Sequence, residues 1–366
     1  MKRVLFLVNH DVVIYNFRLE LVERLLADGH QVIISSPYGE RIEALKELGC
    51  EYHDVELSRH GMNPVQELKL LASYIRLIRK VKPDMVFTYT IKPNIYGGMA
   101  CALLGVPYVS NITGLGTAVE NPGLTQKLTV LLYKLAFTRI QRVFFQNEEN
   151  RAFFAHRKIA LKKHGMLPGS GVNLQRFVPL EYPGDDTVEF LFIARIMKEK
   201  GIDQYLEAAE YITKKYPHTK FHICGFCEAE YEGRLEECQK AGTVIYHGMV
   251  SNVREYIART HCTVHPTYYP EGLSNVLLES SACARPIITT DRSGCREVID
   301  NGVNGFVVRQ QDSKDLIEKI EQFLALSWEK RKAMGLAGRA KVEREFDRQI
   351  VVEKYVAELN ACPEKK

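Results

Sequence analysis

The sequence predicts an α/β protein with two doubly wound parallel-sheet domains, and three observations support this. Short runs of β-branched and aromatic residues alternate with segments of helical period along the whole chain, which is the pattern of parallel strands connected by helices. Glycine and proline accumulate at 165–173, after which the alternation begins again. The 366 residues are enough for two domains of ordinary size. We place the first domain at 1–168 and the second at 169–346.

Each half supplies its own set of elements. The first half has strand candidates at 4–8, 32–35, 85–89, 108–111 and 142–146, and helix candidates at 17–27, 41–48, 64–81, 94–104 and 125–137. The second half has strand candidates at 189–193, 220–224, 244–246, 262–265, 286–289 and 305–308, and helix candidates at 202–215, 231–240, 253–258, 274–283, 314–326, 328–345 and 348–360. This order gives each domain a parallel sheet with helices on both faces.

The composition indicates a soluble cytoplasmic protein. The apolar share is 46% and the charged share 26%, which are ordinary values for a globular protein, and no apolar run reaches the roughly 18 residues of a membrane span. The N-terminal apolar run lacks a small-residue cleavage site, so it predicts a first strand rather than a signal peptide. Nine cysteines without framework spacing indicate reduced thiols.

Charge is distributed unevenly along the chain, whose net charge is +4. Residues 1–165 carry 22 Lys and Arg against 15 Asp and Glu, a net charge of +7, and the remainder carries 27 against 30, a net charge of −3. The asymmetry predicts an anionic partner for the first half, and a solvated surface without a partner is the alternative. The stretch 125–142, apolar with four interspersed cations, suits an anionic bilayer. A half-buried core helix would have the same pattern.

The strongest functional signal is the stretch 265–283, where a predicted strand is followed by a tight turn and a predicted helix. Gly272 permits the turn, and the helix N-terminus that follows suits a phosphate group. Glu271 and Glu279 would repel phosphate, so we expect them to accept hydrogen bonds from hydroxyl groups. A nucleotide sugar combines a diphosphate with two polyols and fits both features. A strand–helix joint with two solvated glutamates is the simpler alternative.

A second motif follows the first strand of the second half. Arg195 stands at the end of that predicted strand, and Lys200-Gly201 opens the next helix. Arginine offers a planar fork to phosphate oxygens and lysine a compact charge. An ordinary basic surface loop is the alternative. Two doubly wound domains also imply a cleft between them, which suits a two-substrate enzyme with one substrate on each domain.

With both motifs, the chain resembles family 4 of the retaining glycosyltransferases, whose GT-B fold consists of two Rossmann-like domains facing across a cleft. Glu271 and Glu279 match the E-x7-E signature of that family, and Arg195, Lys200 and Gly201 match its R-x4-K-G signature. The resemblance implies that Arg195 and Lys200 hold the donor diphosphate and that Glu279 binds the ribose hydroxyls. The donor sugar is expected to meet the catalytic candidate Glu271 and the backbone of Gly272, Leu273 and Ser274. The C-terminal helix, 347–362, is expected to cross back onto the first domain.

Within that family, the first half is most similar to bacterial transferases that build lipid-linked oligosaccharides and capsules. The similarity is carried by the stretches 14–18, 58–64, 114–116 and 171–174. The chain departs from many members in the loop after strand one, where a Gly-Gly pair is replaced by residues 9–14. His10 therefore becomes a catalytic candidate, with an ordinary loop histidine as the alternative. The candidates for acceptor binding are Asn16, Lys92, Asn94 and Gly114.

Neither a metal nor a cofactor is expected. The sequence contains no Asp-x-Asp pair to bridge Mg²⁺ to a diphosphate, so Arg195, Lys200 and the helix dipole would replace the cation. No nucleic-acid partner is expected.

The resemblance implies a UDP-sugar as donor and a polyprenyl-diphosphate-linked saccharide as acceptor, at the inner face of a bacterial plasma membrane. The activity predicted is that of a retaining, metal-independent hexosyltransferase in glycan, capsule or exopolysaccharide synthesis, with N-acetylgalactosamine as one candidate sugar. One alternative is a GT-B transferase or epimerase with a soluble acceptor. Another is a non-catalytic module that binds a nucleotide sugar.

Overall fold

A computed structural model describes residues 1–57, 63–115, 119 and 123–362. The chain forms two compact units. The first comprises the described residues of Met1–Gly171, Glu271–Leu273 and Arg348–Lys366, and the second comprises Val172–Pro270 and Ser274–Asp347. The first segment of this unit ends at Gly171, three residues after the predicted boundary at 168. The segment Glu271–Leu273 belongs to the first unit although the chain on both sides of it belongs to the second, a feature that the sequence does not predict.

The first unit is built on a parallel sheet whose described strands follow the order β3-β2-β1-β4-β5-β6-β7. These strands are β1 Arg3–Leu7, β2 Gln31–Ser36, β3 Glu51–Asp54, β4 Met85–Tyr89, β5 Tyr108–Ile112, β6 Arg142–Phe145 and β7 His164–Met166. The inner strands are apolar runs because helices cover both faces of the sheet. The edge strands β3 and β7 were not predicted. Edge strands are buried less completely, so polar sequences such as Glu-Tyr-His-Asp are tolerated there.

Helices cover both faces of this sheet. They are α1 Asp11–Phe17, α2 Leu19–Ala27, α3 Ile42–Glu47, α4 Pro64–Val81, α5 Gly98–Leu104, α6 Leu124–Ala136 and α7 Glu148–His156. Alternate residues of β1 enter opposite cores, with Val4 and Phe6 in one and Leu5 and Leu7 in the other, as the period of a strand requires. The α/β doubly wound fold class is therefore confirmed.

Three helical segments of the first unit differ from the prediction. The prediction begins a helix at Phe17, whereas α1 begins at Asp11, immediately after β1, because the side chain of His10 caps it by accepting the Val12 N–H. The π-helical turn Pro93–Gly97 precedes α5, where the sequence predicts one continuous helix from residue 94. Helix α7 was not predicted.

The second unit contains a parallel sheet whose strands follow the order β10-β9-β8-β11-β12-β13. These strands are β8 Val188–Ile193, β9 Thr219–Cys224, β10 Ile245–Tyr246, β11 Cys262–His265, β12 Ile287–Thr290 and β13 Gly305–Val308. The helices are α8 Ile202–Lys215, α9 Glu232–Lys240, α10 Val253–Arg259, α11 Asn275–Ala282, α12 Ser313–Leu324 and α13 Trp328–Glu345. All of these elements lie close to their predicted positions.

The last helix, α14 Arg348–Asn360, packs on the sheet of the first unit. The ring of Tyr355 is fully buried, with its centroid 4.9 Å from that of Phe87 on β4 and 5.3 Å from that of Phe144 on β6. At the start of the helix, Arg348 donates hydrogen bonds of 2.9 and 3.0 Å to the Glu20 carboxylate. The C-terminal helix therefore returns to the first unit, as the family resemblance implies.

Candidate active site

In the second unit, the strand order reverses between β8 and β11. Strand β9 lies on the other side of β8, and β12 lies on the other side of β11. The connections that leave the carboxyl ends of these two strands diverge, which creates the crevice where open α/β sheets bind ligands. The loop after β8 carries Arg195 and Lys200, and the loop after β11 contains 266–270. The fold therefore brings the regions of the two sequence motifs to one switch point.

The backbone ties these two loops together. The carbonyl oxygen of Glu199, directly before Lys200, accepts the backbone N–H of Tyr268 at 2.9 Å and the hydroxyl of Thr267 at 3.2 Å. Lys200 Nζ lies 4.7 Å from the ring centroid of Tyr269, within the range of a cation–π interaction. The lysine charge is thus held between the two loops.

Gly201 lies where these two loops meet. It adopts a φ of +79°, a left-handed conformation that favours glycine, and precedes α8. A Cβ atom at this position would also collide with the carbonyl oxygen of Pro266. The glycine of the R-x4-K-G motif is therefore required for the close approach of the two loops as well as for the turn.

Arg195 lies two residues beyond the end of β8, with a side chain that is 49% exposed. Its Nη1 atom lies 3.3 Å from Oε1 of Glu228. A half-exposed ion pair of this kind contributes only about 0–1 kcal/mol. A diphosphate, with more charge and more acceptor oxygens, can therefore compete with Glu228 for the guanidinium.

The N-terminus of α11 is the other positive feature of the second unit. Ser274 precedes the helix and is buried. Its backbone N–H donates to the carbonyl oxygen of Gly294 at 2.8 Å, so the amide that the family resemblance assigns to the donor sugar is already engaged. The next amides begin the helix, and helices leave their first amides without an intrahelical partner. Glu279 lies within α11 and is partly exposed.

In the first unit, the segment Glu271–Leu273 is held by a residue that the sequence analysis missed. Asn147 Nδ2 donates to the carbonyl oxygens of Glu271, at 3.0 Å, and Gly272, at 2.6 Å. Its Oδ1 accepts the backbone N–H of Asn150 at 2.8 Å and caps α7. An Asn directly before Glu148-Glu149 is a recognisable N-cap, but the sequence contains no sign that its amide nitrogen reaches residue 271.

Gly272 is packed too closely for any side chain. A Cβ atom there would collide with the side-chain oxygen of Gln146 and lie 2.5 Å from the carbonyl oxygen of Thr113. Leu273 is likewise buried against Gly169, where a Cβ atom would lie 2.8 Å from that of Leu273. The backbone from the Glu271 carbonyl to Leu273 is thus fixed by packing and hydrogen bonds.

The first unit has its own switch point, between β1 and β4. His10 follows β1 and is about one-third exposed, and its Nδ1 contacts the carboxylate of Asp11. Asp11 is buried and also accepts the backbone N–H of Arg41 at 2.7 Å. Because Nδ1 already accepts the Val12 N–H at 3.3 Å, the cap of α1 orients the imidazole and Nε2 is the ring nitrogen left to meet a ligand. Asp11 was not predicted, although its place beside His10 is a signal in the sequence.

Lys92 and Asn94 follow β4 at the same switch point. Lys92 Nζ lies 2.6 Å from Oε1 of the buried Glu67, so its charge is paired. Asn94 is buried, and its side chain accepts the hydroxyl of Thr88 at 2.7 Å and donates to the Asn111 carbonyl at 2.9 Å. Acceptor binding by these two residues stays a prediction, and the burial of Asn94 does not favour it.

The remaining acceptor candidates are Asn16 and Gly114. Asn16 is exposed on α1, and its carbonyl oxygen accepts Arg348 Nη1 at 3.1 Å. Gly114 follows β5 with a φ of +147°, a conformation that side chains rarely adopt. Their contacts with an acceptor stay predictions. The stretch 58–62 and Gly116, which carry part of the family resemblance, lie outside the described residues.

No group of three or more His, Cys, Asp and Glu side chains in the described part of the chain is arranged to hold a metal ion. No helix among the described residues combines the length and the apolar character needed to span a membrane. All nine cysteines are free thiols, and eight of them are buried.

Two family models match the chain, one on each side of the central boundary. The model described as "Glycosyl transferase 4-like" matches residues 3–147, and the model described as "Glycosyl transferases group 1" matches residues 181–341. With two Rossmann-like units and these matches, the chain belongs to the glycosyltransferases and has the GT-B fold. The family resemblance drawn from Glu271, Glu279, Arg195 and Lys200 is therefore confirmed.

The chain is also similar over nearly its whole length to individual glycosyltransferases. The chain is 27% identical to the N,N'-diacetylbacillosaminyl-diphospho-undecaprenol alpha-1,3-N-acetylgalactosaminyltransferase of Campylobacter jejuni, over 97% of each chain. Its fold is similar to that of a glycosyltransferase from Rickettsia africae, with a TM-score of 0.82 and 17% identity over 100% of this chain and 99% of that one. Anabaena HepE, solved in complex with UDP and glucose, has a TM-score of 0.79 and 15% identity over 99% and 100% of the two chains.

Proposed function

We propose that this enzyme transfers a hexose or N-acetylhexosamine from a UDP-sugar to a polyprenyl-diphosphate-linked saccharide, with retention at the anomeric carbon. The observation that carries the proposal is the switch point of the second unit, where the loop that bears Arg195 and Lys200 is hydrogen-bonded through Glu199 to the loop 266–270 that precedes Glu271. The similarity to the Campylobacter jejuni transferase over 97% of both chains supports the choice of acceptor. The process served is bacterial glycan, capsule or exopolysaccharide synthesis.

On the donor side, the enzyme must stabilise the negative charge of the leaving diphosphate. When the sugar–phosphate bond breaks, negative charge accumulates on the departing diphosphate. Arg195 and Lys200 supply two fixed positive charges there, and the N-terminus of α11 adds the positive end of a helix dipole. Because these groups are in place before the reaction, little reorganisation is needed as the charge develops. Glu279 binds the ribose hydroxyls in this scheme.

On the sugar side, Glu271 orients the ring, and Asn147 holds the backbone that carries it. No described residue is placed as an evident covalent nucleophile, so we favour attack by the acceptor hydroxyl on the face that the diphosphate leaves. The leaving phosphate then takes the proton of that hydroxyl. His10, whose Nδ1 accepts the Val12 N–H, is the second candidate for proton transfer. The enzyme works without a metal and is peripheral on the cytoplasmic face of the plasma membrane, where lipid-linked acceptors reside.

The donor class is tested by thermal shift with UDP-, GDP- and ADP-sugars, and the activity by transfer to an undecaprenyl-diphosphate-linked saccharide. UDP-sugars should raise the melting temperature, and transfer should follow. Arg195→Ala and Lys200→Ala should weaken the UDP-sugar shift and reduce transfer. Lys215→Ala is the matched control, because Lys215 ends α8 and pairs with Glu321 at 2.7 Å, far along the helix from Lys200. A UDP-sugar shift without transfer to any acceptor would identify a binding module instead.

A further inference from the structure

Helix α6 exposes a row of four leucines. Leu124, Leu128, Leu131 and Leu135 are 85%, 46%, 52% and 52% exposed, and their spacings of four, three and four residues place them on one side of the helix. We call this surface the leucine face. Isolated exposed leucines are normal in proteins, but a continuous apolar row usually marks an interaction surface.

The opposite side of α6 packs against the rest of the first unit and stabilises the helix. Thr129, Tyr133 and Ala136 are buried, and the Tyr133 ring centroid lies 5.0 Å from that of Phe154 on α7. The helix is thus held on the unit by one side while the leucine face remains outside the core. Helix α5 packs beside α6 and adds Leu103, which is 68% exposed.

The chain around the leucine face carries several lysines and arginines and few acidic residues. Lys127 and Lys134 are exposed on α6, and no ion pair engages them among the described residues. In the sequence from 85 to 147, Glu120 is the single acidic residue, against five lysines and arginines. Arg157 Nη2 lies 3.4 Å from Gln126 Oε1, and this contact joins α6 to the end of α7, where further exposed cations follow. These are Lys158, Lys162 and Lys163.

This combination favours a bilayer over a protein partner. Protein interfaces are depleted in lysine, whereas interfacial membrane helices place leucines in the acyl region and lysines at the level of the phosphates. The scarcity of acidic side chains between 85 and 147 complements an anionic headgroup layer, and the exposed Glu148 and Glu149 lie at the start of α7, the end opposite its cations. A helix of 13 residues would lie along the surface, because its length of roughly 20 Å is too short to span a bilayer.

We propose that the leucine face of α6, with Leu103, inserts into the headgroup–acyl boundary of an anionic bilayer, and that Lys127, Lys134 and Arg139 contact lipid phosphates. This inference rests on the proposed function, because it names the surface on which a lipid-linked acceptor would be met. The buried side of α6 packs on the turn Pro93–Gly97, which contains the predicted acceptor residue Asn94. One helix diameter, roughly 10 Å, therefore separates this surface from the turn that contains Asn94.

The first experiment is flotation of the full chain with vesicles of phosphatidylcholine containing about 30% phosphatidylglycerol. The variant in which Leu124, Leu128, Leu131 and Leu135 are all changed to Gln should bind about tenfold or more weakly. Leu336→Gln is the matched control, because Leu336 lies on α13 and is 50% exposed; it should bind as the unmodified protein does. Equal binding by all three proteins would overturn the proposal, and so would equal loss in both variants.

The contribution of the cations to vesicle binding is tested separately. Changing Lys127, Lys134 and Arg139 to Gln should weaken vesicle binding by about fivefold for each cation. High salt should also weaken the vesicle binding of the unmodified protein. Equal binding to vesicles of phosphatidylcholine alone, at low and high salt, would overturn the electrostatic half of the proposal. Self-association through the leucine face, without vesicle binding, would show that a second copy covers it and would overturn the whole.

Insertion has a direct spectroscopic test, because the chain contains one tryptophan. Trp328 lies in the second unit and donates to the Pro183 carbonyl at 2.7 Å, so brominated lipids should not quench it. Leu131→Trp should add a fluorescence that these lipids quench, and an unquenched signal would contradict insertion. Transfer to a short-chain, water-soluble acceptor should be unaffected by the leucine changes. Loss of transfer to that acceptor in the unmodified protein would count against the proposed function and not against the membrane surface.

Discussion

The side-chain amide of Asn147 donates a hydrogen bond of 2.6 Å to the backbone carbonyl of Gly272. The same nitrogen reaches the carbonyl of Glu271, and the amide oxygen caps α7. One buried side chain therefore couples the start of a helix to the segment that carries the catalytic candidate. Because Asn has a donor and an acceptor on one planar group, no other side chain of this size can serve both ends.

Asn147→Asp should reduce kcat while α7 remains capped. Aspartate is as good an N-cap as asparagine, but it places an oxygen where a donor is needed and repels the two carbonyl groups. Losing hydrogen bonds at a buried site costs about 1–3 kcal/mol, which corresponds to a loss of roughly 5- to 150-fold if the effect appears fully in the rate. Initial rates give kcat and KM. Asn63→Asp, which alters the cap of α4 in the same way, should leave kcat unchanged.

Gly201→Ala should weaken donor binding more than its backbone strain alone explains. Gly201 and Gly242 both adopt left-handed conformations, with φ values of +79° and +73°. A Cβ atom at Gly201 would collide with the Pro266 carbonyl, whereas at Gly242 it would meet no atom within 4 Å. Both variants should lose about 1 kcal/mol of stability from the conformation. Only Gly201→Ala should also reduce UDP affinity by calorimetry, and equal UDP affinity in the two variants would contradict the role of this junction.

Substitution should separate the roles of Glu271 and Glu279. Glu279→Gln should raise the donor KM and weaken UDP binding by about 1–3 kcal/mol, because ribose contacts exist in the ground state and the transition state alike. Glu271→Gln should reduce kcat strongly while free UDP, which carries no sugar, binds almost as before. Calorimetric UDP affinities and initial rates for both variants provide the test. Abolished UDP binding in Glu271→Gln, or a loss confined to kcat in Glu279→Gln, would show that the roles are wrongly assigned.

The stability of the second unit should fall in mild acid because of His261. The ring is buried, with Nδ1 accepting the Glu189 N–H at 3.1 Å and Nε2 placed 2.8 Å from the Gly184 carbonyl. Burial lowers the pKa of His261 below its ordinary value of 6.5. Below pH 6.5 the unfolded chain binds a proton that the folded chain does not. The free energy of unfolding should therefore decrease as the pH falls, by up to about 1.4 kcal/mol per pH unit, and this group should have no effect at higher pH.

Urea unfolding at a series of pH values measures this dependence. His261→Gln removes the titrating group and should flatten the acid side of the profile, although the variant is less stable at every pH. His218→Gln is the control, because His218 is exposed and should leave the slope as it is. An identical acid slope in His261→Gln and in the unmodified chain would refute the assignment.

Turnover should persist in excess EDTA. Arg195, Lys200 and the α11 dipole are proposed to balance the charge of the diphosphate, so no divalent cation is needed for that purpose. The measurement is the initial rate with EDTA and again after Mg²⁺ or Mn²⁺ is added in excess. Complete loss of activity in EDTA, restored by either ion, would reject the charge-replacement argument.

The two motifs and the two-domain organisation could be predicted because each depends on local pattern. Arg195, Lys200 and Gly201 are close in the chain, and a glycine after a basic loop signals a helix start. The strands β3 and β7 escaped prediction because edge strands need no continuous apolar run. Helix α1 was not predicted because its β-branched residues are typical of a strand or loop, and only the cap at His10 indicates a helix start.

The sequence by itself determined the fold class and the glycosyltransferase family, and it supplied the predicted donor-site residues, because apolar periodicity and short motifs lie in consecutive residues. Tertiary structure alone decided which distant groups meet. Asn147 and Glu271 are 124 residues apart, and the assignment of Glu271–Leu273 to the first unit has no local signature. The pairing of Lys92 with Glu67 and the exposure of the leucine face are of the same kind. Contacts and burial depend on how elements pack, and that is a property of the whole folded chain.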